Sequence, residues 1–272
     1  MLVGLLALAV AASAGATGRI NVLGFQEEGT PARAIDRSAA SLSAVGVDGV
    51  NLLDAGAAVS TPDSAALAEL AGARRDHLPA VLLVGNWSNA INDFSERLAH
   101  GMLASPAHIA SVTQTIADIV TRQGWNGISL DLESLTPRDT AGRTAFVQAL
   151  RKALPAHVSL SICLQNSSTA AGFAASGYDL TAIGQSVDRA ILMAYDDHGP
   201  WENQPGPVGP LNWQQAGLSV LLHVMPASKI ILGVAGYGYA WRPHSNVMVR
   251  SEERRVGKEC GLRCRWRGWP DN

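Results

Sequence analysis

The sequence predicts an α/β chain, a (β/α)8 TIM barrel left incomplete because strand eight is missing. Three observations predict it. Seven short β-rich runs alternate with longer helical stretches. The runs are close to continuously apolar, as strands covered on both faces are. The 272 residues, 47% hydrophobic and 16% charged, suit one large globular domain with a sizeable core. Strands joined by helices argue for a parallel sheet, and a doubly wound sheet satisfies the same alternation.

The runs are NVLGF (21–25), VDGVNLLD (47–54), PAVLLVGN (79–86), GISLDLE (127–133), VSLSICLQ (158–165), RAILMAYD (189–196) and KIILGVAGY (229–237). Helical patterns fill the gaps: SAASLSAVG, SAALAELAGARR, PAHIASVTQTIADIVTRQG, TAGRTAFVQALRKALP, DLTAIGQSV and NWQQAGLSVLLHVM. The third is punctuated at both ends, by Ser105 with Pro106 at its first turn and by Gly124 after its last. No eighth strand follows YGYAW, so the expected barrel has open edges.

Both ends of the chain depart from this pattern. Residues 1–16 read as a secretory signal peptide, an apolar run without acidic residues followed by an Ala12-Ser13-Ala14 step. A first strand or core helix is the competing reading, and the run is short of the ~20 residues a membrane span needs. From Arg250 the text becomes RSEERRVGKECGLRCRWRGWPDN, in which RSEERRVGKEC is similar to the conceptual translation of a sequencing adapter. Residues 250–272 are therefore expected to be foreign, and 17–249 to form the barrel; a natural basic tail is the alternative. The tail holds seven Lys+Arg and four Asp+Glu, so removing its +3 from the total of −2 leaves about −5 for the rest, with no nucleic-acid footprint. Outside the tail only Cys163 remains; it closes no internal disulfide and sits in an apolar run, where packing is the expected role.

One strand carries chemistry. In GISLDLES, side chains alternate in direction, so Ser129, Asp131 and Glu133 share one face while Ile128, Leu130 and Leu132 share the other. In a barrel the apolar set packs on helices and the polar set points inward, with Glu133 at the carboxyl end, where active sites of this fold sit. Burying neighbouring carboxylates is unfavourable without compensation, which usually marks function. The structural alternative has Glu133 capping the next loop and Asp131 paired with a buried arginine, and strand spacing leaves the two readings even.

WNGISLDLESL resembles the signature strand of glycoside hydrolase family 18, the chitinase-like family, with Asp131 and Glu133 at its last two acidic positions. LMAYDDHG resembles the family's sixth strand at Met193, Tyr195 and Asp196, and KIILGVAGYGYAW resembles its seventh. PGPVGPLNW (205–213) is similar to the branch containing bacterial spore-cortex and germination glycosidases. Two signature positions depart: Asn126 replaces the first acidic residue, and Ser129 stands where the family has Asp, or in that branch often Asn.

The resemblance implies an exported glycosidase, secreted or held in the periplasm or cell wall, acting on a polysaccharide that contains β-linked N-acetylglucosamine. Chitin oligomers and peptidoglycan strands both qualify. It implies substrate-assisted retention, an exception to the usual two-carboxylate schemes. Glu133 is then the general acid, Asp131 orients the substrate's acetamido group, and Tyr195 hydrogen-bonds its carbonyl oxygen. Asp196, Met193, Ser129, Asn86, Gln165, Tyr237 and Trp241 are the expected substrate contacts, with core packing the competing role for Met193 and the aromatics. No cofactor or metal is expected, because the seven histidines lack ligand spacing. A sugar-binding relative without activity is the alternative, and the presence of Glu133 favours the enzyme. An unrelated hydrolase or nucleotide enzyme lacks its G-x-S-x-G elbow or Gly-rich turn here.

Overall fold

In the computed structural model of the chain, residues 20–26, 33–199, 201–202, 204–241 and 248–252 are described. The expected leader, and the expected foreign tail from residue 253 onward, lie outside the described residues. Seven parallel strands pair in chain order in one curled sheet: β1 (Leu23–Gln26), β2 (Ala44–Leu53), β3 (Ala80–Gly85), β4 (Gly127–Asp131), β5 (Ser159–Gln165), β6 (Arg189–Met193) and β7 (Ile230–Gly233). Among the described residues β1 and β7 do not pair with each other, so the described sheet is an open, curled part of a (β/α) barrel. Helices fill the crossovers: α1 (Arg33–Ser38), α2 (Ser64–Arg75), α3 (Glu96–Leu103), α4 (Pro106–Gln123), α5 (Thr140–Ala153), α6 (Ala170–Ala175), α7 (Leu180–Ser186) and α8 (Leu211–Val224).

Local chemistry sets these boundaries. Ser105 Oγ accepts the His108 amide at 3.3 Å to cap α4, with Pro106 at the first helical position. Gly124 ends that helix at φ 69°, a left-handed conformation that a side chain disfavours. Asp63 caps α2 and Asp179 caps α7 in the same way, at 2.9 Å and 3.0 Å.

Two expectations fail. The helix expected at 38–46 is a single 3-10 turn, Ala39–Ser41, because Val45 and Val47 alternate into the core as the start of β2. The run at 229–237 ends as a barrel strand at Gly233; Tyr237–Trp241 then pairs antiparallel with Met248–Glu252. Arg250, Ser251 and Glu252, the first residues of the stretch expected to be foreign, thus lie in a strand. Helix α3 is additional, capped by Ser95, whose hydroxyl accepts the Leu98 amide at 3.3 Å.

The two faces of the sheet differ in kind. Outward residues such as Val47, Leu82, Ile128, Leu160 and Leu192 pack with Trp125, Phe146 and Phe173 into the main core between sheet and helices. Each such side chain contributes roughly 1.5–3 kcal/mol. The inward face is smaller and mixed: Cys163, Ile191 and Met193 pack with Leu23, Leu83, Tyr195 and Ile231, beside the polar residues of β4. A bulge in β2 between Asp48 and Val50 sets Asn51 beside Gly85, where its Oδ1 accepts the Trp87 amide at 3.0 Å.

Candidate active site

The carboxyl ends of β3 to β6 run in register, with Gly85 paired to Asp131 and Gln165 to Met193. Asp131 closes β4, Glu133 follows two residues on, Gln165 closes β5, and Tyr195 and Asp196 follow β6. The rim therefore gathers residues far apart in sequence, where this architecture places its chemistry.

Glu133 is held at both main chain and side chain. Asn86, fully buried, accepts the Glu133 amide at 2.9 Å and donates to its carbonyl at 3.0 Å, while its second N–H reaches Ser95 O at 3.1 Å. Both amide protons of Asn86 are thereby used, so it positions Glu133 and does not offer them to a ligand. Gln165 Nε2 donates to Glu133 Oε2 at 2.8 Å. Burial raises the Glu133 carboxyl above its usual range, the Gln165 hydrogen bond pulls it back, and the charges of Asp196 and Asp93 add to the rise.

Asp131 faces inward with its Oδ1 cut off from solvent and, among the described residues, without a hydrogen-bond partner. Burial first, then the charges of Glu133 and Asp48, push its carboxyl up to about 7. An aspartate kept near neutrality beside a raised glutamate is a pair that can hold and move protons at ordinary pH.

The aromatic side of the rim comes from β6 and the hairpin. Tyr195 packs edge-to-face on Tyr237 at 6.2 Å, and burial with the nearby Cys163 and carboxylates raises its phenol, so the hydroxyl keeps its proton. The Gly233 backbone approaches this ring so closely that an added Cβ would stand 3.0 Å from Tyr195 Cε1 and 2.7 Å from Leu192 O. Asp196 has φ 63°, and Ser134, just past Glu133, has φ 58°; left-handed backbone at two non-glycine residues marks strained turns at the rim. Tyr239 donates to Asp196 Oδ1 at 3.0 Å, and burial together with a hydrogen bond to Asp196 raises the Tyr237 phenol.

Other expected contacts land elsewhere. Ser129 is 0% exposed, with its hydroxyl against Cys163 Sγ at 3.5 Å in the interior of the curled sheet. Met193 belongs to the same interior cluster, its packing alternative. The Trp241 backbone lies in the hairpin strand, and its side chain is outside the described residues. Asn126 has a structural task at the opposite end of the strands, where its Oδ1 accepts the Ala80 amide at 2.9 Å.

Three residues escaped sequence reasoning. Tyr239 carried a signal, since it lies two positions from Tyr237 on one strand face. Arg143 carried another, a cation on the α5 stripe that Phe146, Val147 and Leu150 otherwise make apolar. Tyr178 carried none.

A shallow hollow lined by Arg74, His77, Pro79 and Asn126 lies at the amino end of the strands, away from the carboxylates. Among the described residues no cluster of His, Cys, Asp and Glu could hold a metal ion, and no helix is long and apolar enough to cross a membrane.

The chain is similar to known proteins. The model described as Glycosyl hydrolases family 18 matches residues 36–262. The uncharacterized glycosylase YvbX of Bacillus subtilis is 27% identical over 176 residues, 64% of this chain and 51% of that protein. A cortical fragment-lytic enzyme of Bacillus subtilis is 29% identical over 170 residues, 59% of this chain and 37% of that protein. The chain thus spans about half or less of these curated relatives. The chitinase structure from Chromobacterium violaceum superposes with a TM-score of 0.76 at 28% identity, covering 85% of this chain and 73% of that one. The chain belongs to family 18 of the glycosyl hydrolases.

Proposed function

We propose that the chain is the catalytic part of an exported glycosidase that hydrolyses β-linked N-acetylglucosamine glycans by substrate-assisted retention. One observation carries the reading: Glu133, its carboxyl raised and hydrogen-bonded by Gln165, stands two residues past Asp131, whose Oδ1 is buried without a hydrogen-bond partner among the described residues, at the carboxyl end of β4. Glu133 gives its proton to the glycosidic oxygen as the substrate's acetamido oxygen attacks the anomeric carbon. The glycosidic C–O bond breaks and the leaving sugar departs as an alcohol. Asp131 holds the amide N–H and balances the positive oxazolinium, while the Tyr195 hydroxyl donates to the acetamido oxygen. Water then attacks the anomeric carbon, and the Glu133 carboxylate takes its proton, restoring the acid. The names of the relatives, a glycosylase, a cortical fragment-lytic enzyme and a chitinase, favour chitin oligomers and peptidoglycan strands as substrates.

The test compares acetylated with de-N-acetylated oligomers. Glucosamine oligomers lacking the acetyl group should resist cleavage, because the nucleophile is then absent, and a thiazoline analogue of the intermediate should inhibit. Equal rates on both polymers would rule the mechanism out.

A further inference from the structure

Arg143 is the least expected residue of the described core. It sits on the α5 stripe facing the sheet, is 2% exposed, and has no carboxylate within ion-pairing range among the described residues. Asp139 acts on it only from beyond that range, and a buried guanidinium without a direct ion pair is costly. Leucine would fill the same stripe without that cost. What Arg143 reaches is therefore informative. Nη2 donates at 3.0 Å to the carbonyl of Leu132, the residue between Asp131 and Glu133, and Nη1 donates at 3.1 Å to Ser176 O in the loop after α6. Its guanidinium carbon stands 4.0 Å over the Tyr178 ring. The buried Tyr178 hydroxyl accepts the main-chain N–H of Gln165 at 3.1 Å, and the Gln165 side chain is the one that donates to Glu133.

We infer that Arg143 and Tyr178 are positioning residues, a brace behind the rim that fixes the Leu132 carbonyl and the end of β5 so that Gln165 stays hydrogen-bonded to Glu133. The inference rests on Glu133 being the acid of the proposed reaction. Its consequence is a tuned acid. Burial and the charges of Asp196 and Asp93 raise Glu133, and Gln165 opposes them by favouring the ionised form. The groups acting on this carboxyl are Asp131 at the end of β4, Asp93 from the antiparallel ribbon of Trp87–Ser88 and Asp93–Phe94 after β3, Asp196 after β6, the Cys163 thiol and the phenols of Tyr178 and Tyr195. Loosening the brace weakens the Gln165 hydrogen bond and lets Glu133 rise further, so the acid stays protonated to higher pH.

The experiment measures the pH profile of kcat/KM on an N-acetylglucosamine oligomer for the unaltered chain, Gln165→Leu, Tyr178→Phe and the double variant, with Glu133→Gln as reference. Gln165→Leu should move the basic limb upward by roughly one pH unit, the size expected for losing a hydrogen bond to a carboxylate. Tyr178→Phe, which keeps the ring under Arg143, should move it in the same direction by less. The double variant should move no further than Gln165→Leu alone. A purely structural tyrosine would lower the melting temperature without moving the limb. An unmoved limb in Tyr178→Phe, or additive shifts in the double variant, overturns the brace. If Glu133→Gln turns over normally, the acid assignment itself is wrong, so the two failures are distinguishable.

Discussion

The arc from β3 to β6 and the two edges at β1 and β7 are built to different standards. On the arc, Leu82, Ile128, Leu160 and Leu192 are completely covered by helices. At the edges, Phe25 on β1 is 46% exposed, Leu232 on β7 is 43% exposed, and Val234 just beyond it is 73% exposed. The carboxylates, Asn86 and Gln165 all belong to the arc, while Tyr237 and Tyr239 belong to the hairpin beyond β7. The difference teaches that Glu133, the acid of the proposed reaction, is held by the most tightly packed part of the molecule, and the hairpin aromatics by the least. Variants on the arc should therefore have large effects and those at the edge small ones.

Glu133→Gln should give the largest effect on function, a loss of about 10²-fold to 10⁴-fold in turnover with oligosaccharide binding retained. Near-normal turnover removes Glu133 from the chemistry. Phe146→Ala should give the largest effect on stability. Phe146 is fully buried between α5 and the sheet, and such truncations cost about 3–5 kcal/mol. Leu232→Ala, at the edge, should cost under about 1 kcal/mol. Comparable losses in urea unfolding at the two positions would erase the contrast between arc and edge.

Asp131→Asn should act in opposite directions on activity and stability. The folded chain holds this carboxyl at about 7, against 3.8 for a free side chain, so between those values it keeps a proton that the unfolded chain has lost. Stability therefore falls as pH rises through that window, and the penalty is complete above it. The asparagine variant, free of that penalty, should melt several degrees higher, on the order of 3–6 °C, at pH 8 and about equally at pH 3.5, while losing activity. Equal melting temperatures at pH 8 would show that Asp131 ionises without cost.

The sequence made the arc legible because its strands are short, apolar and separated by well-capped helices, and because Asp131 and Glu133 interrupt an apolar run. It made the edges less legible. The 38–46 stretch has helix-forming alanines, but tertiary packing of Val45 and Val47 overrides propensity. Gly233 to Gly236 hides the change from barrel strand to hairpin, since both sides read as β. Within the site, residue identity could name Glu133, Asn86 and Gln165, but not that the last two hold the first. Asn86, Gln165, Tyr178 and Arg143 act through main-chain and side-chain hydrogen bonds that only a folded register brings together, as when β4 and β5 carry Glu133 and Gln165 to one rim.

The smallest effect tests the edge side of the comparison directly. Tyr239 donates to Asp196 Oδ1 at 3.0 Å from the hairpin, and Trp201, 61% exposed, packs edge-to-face on its ring. Asp196 also has Tyr237 as a hydrogen-bond partner, so removing one hydroxyl leaves the carboxylate supported. Water can replace the lost donor at a half-open wall, which keeps the cost near the lower end for a hydrogen bond to a charged group, about 1.5 kcal/mol. Tyr239→Phe should therefore lower kcat/KM by no more than about tenfold and shift the urea midpoint only slightly. The loss should fall mainly on KM if the hairpin shapes the wall against the sugar. A loss as large as that of Glu133→Gln, falling on kcat, would mean that Asp196 takes part in the chemistry and that the hairpin belongs with the arc.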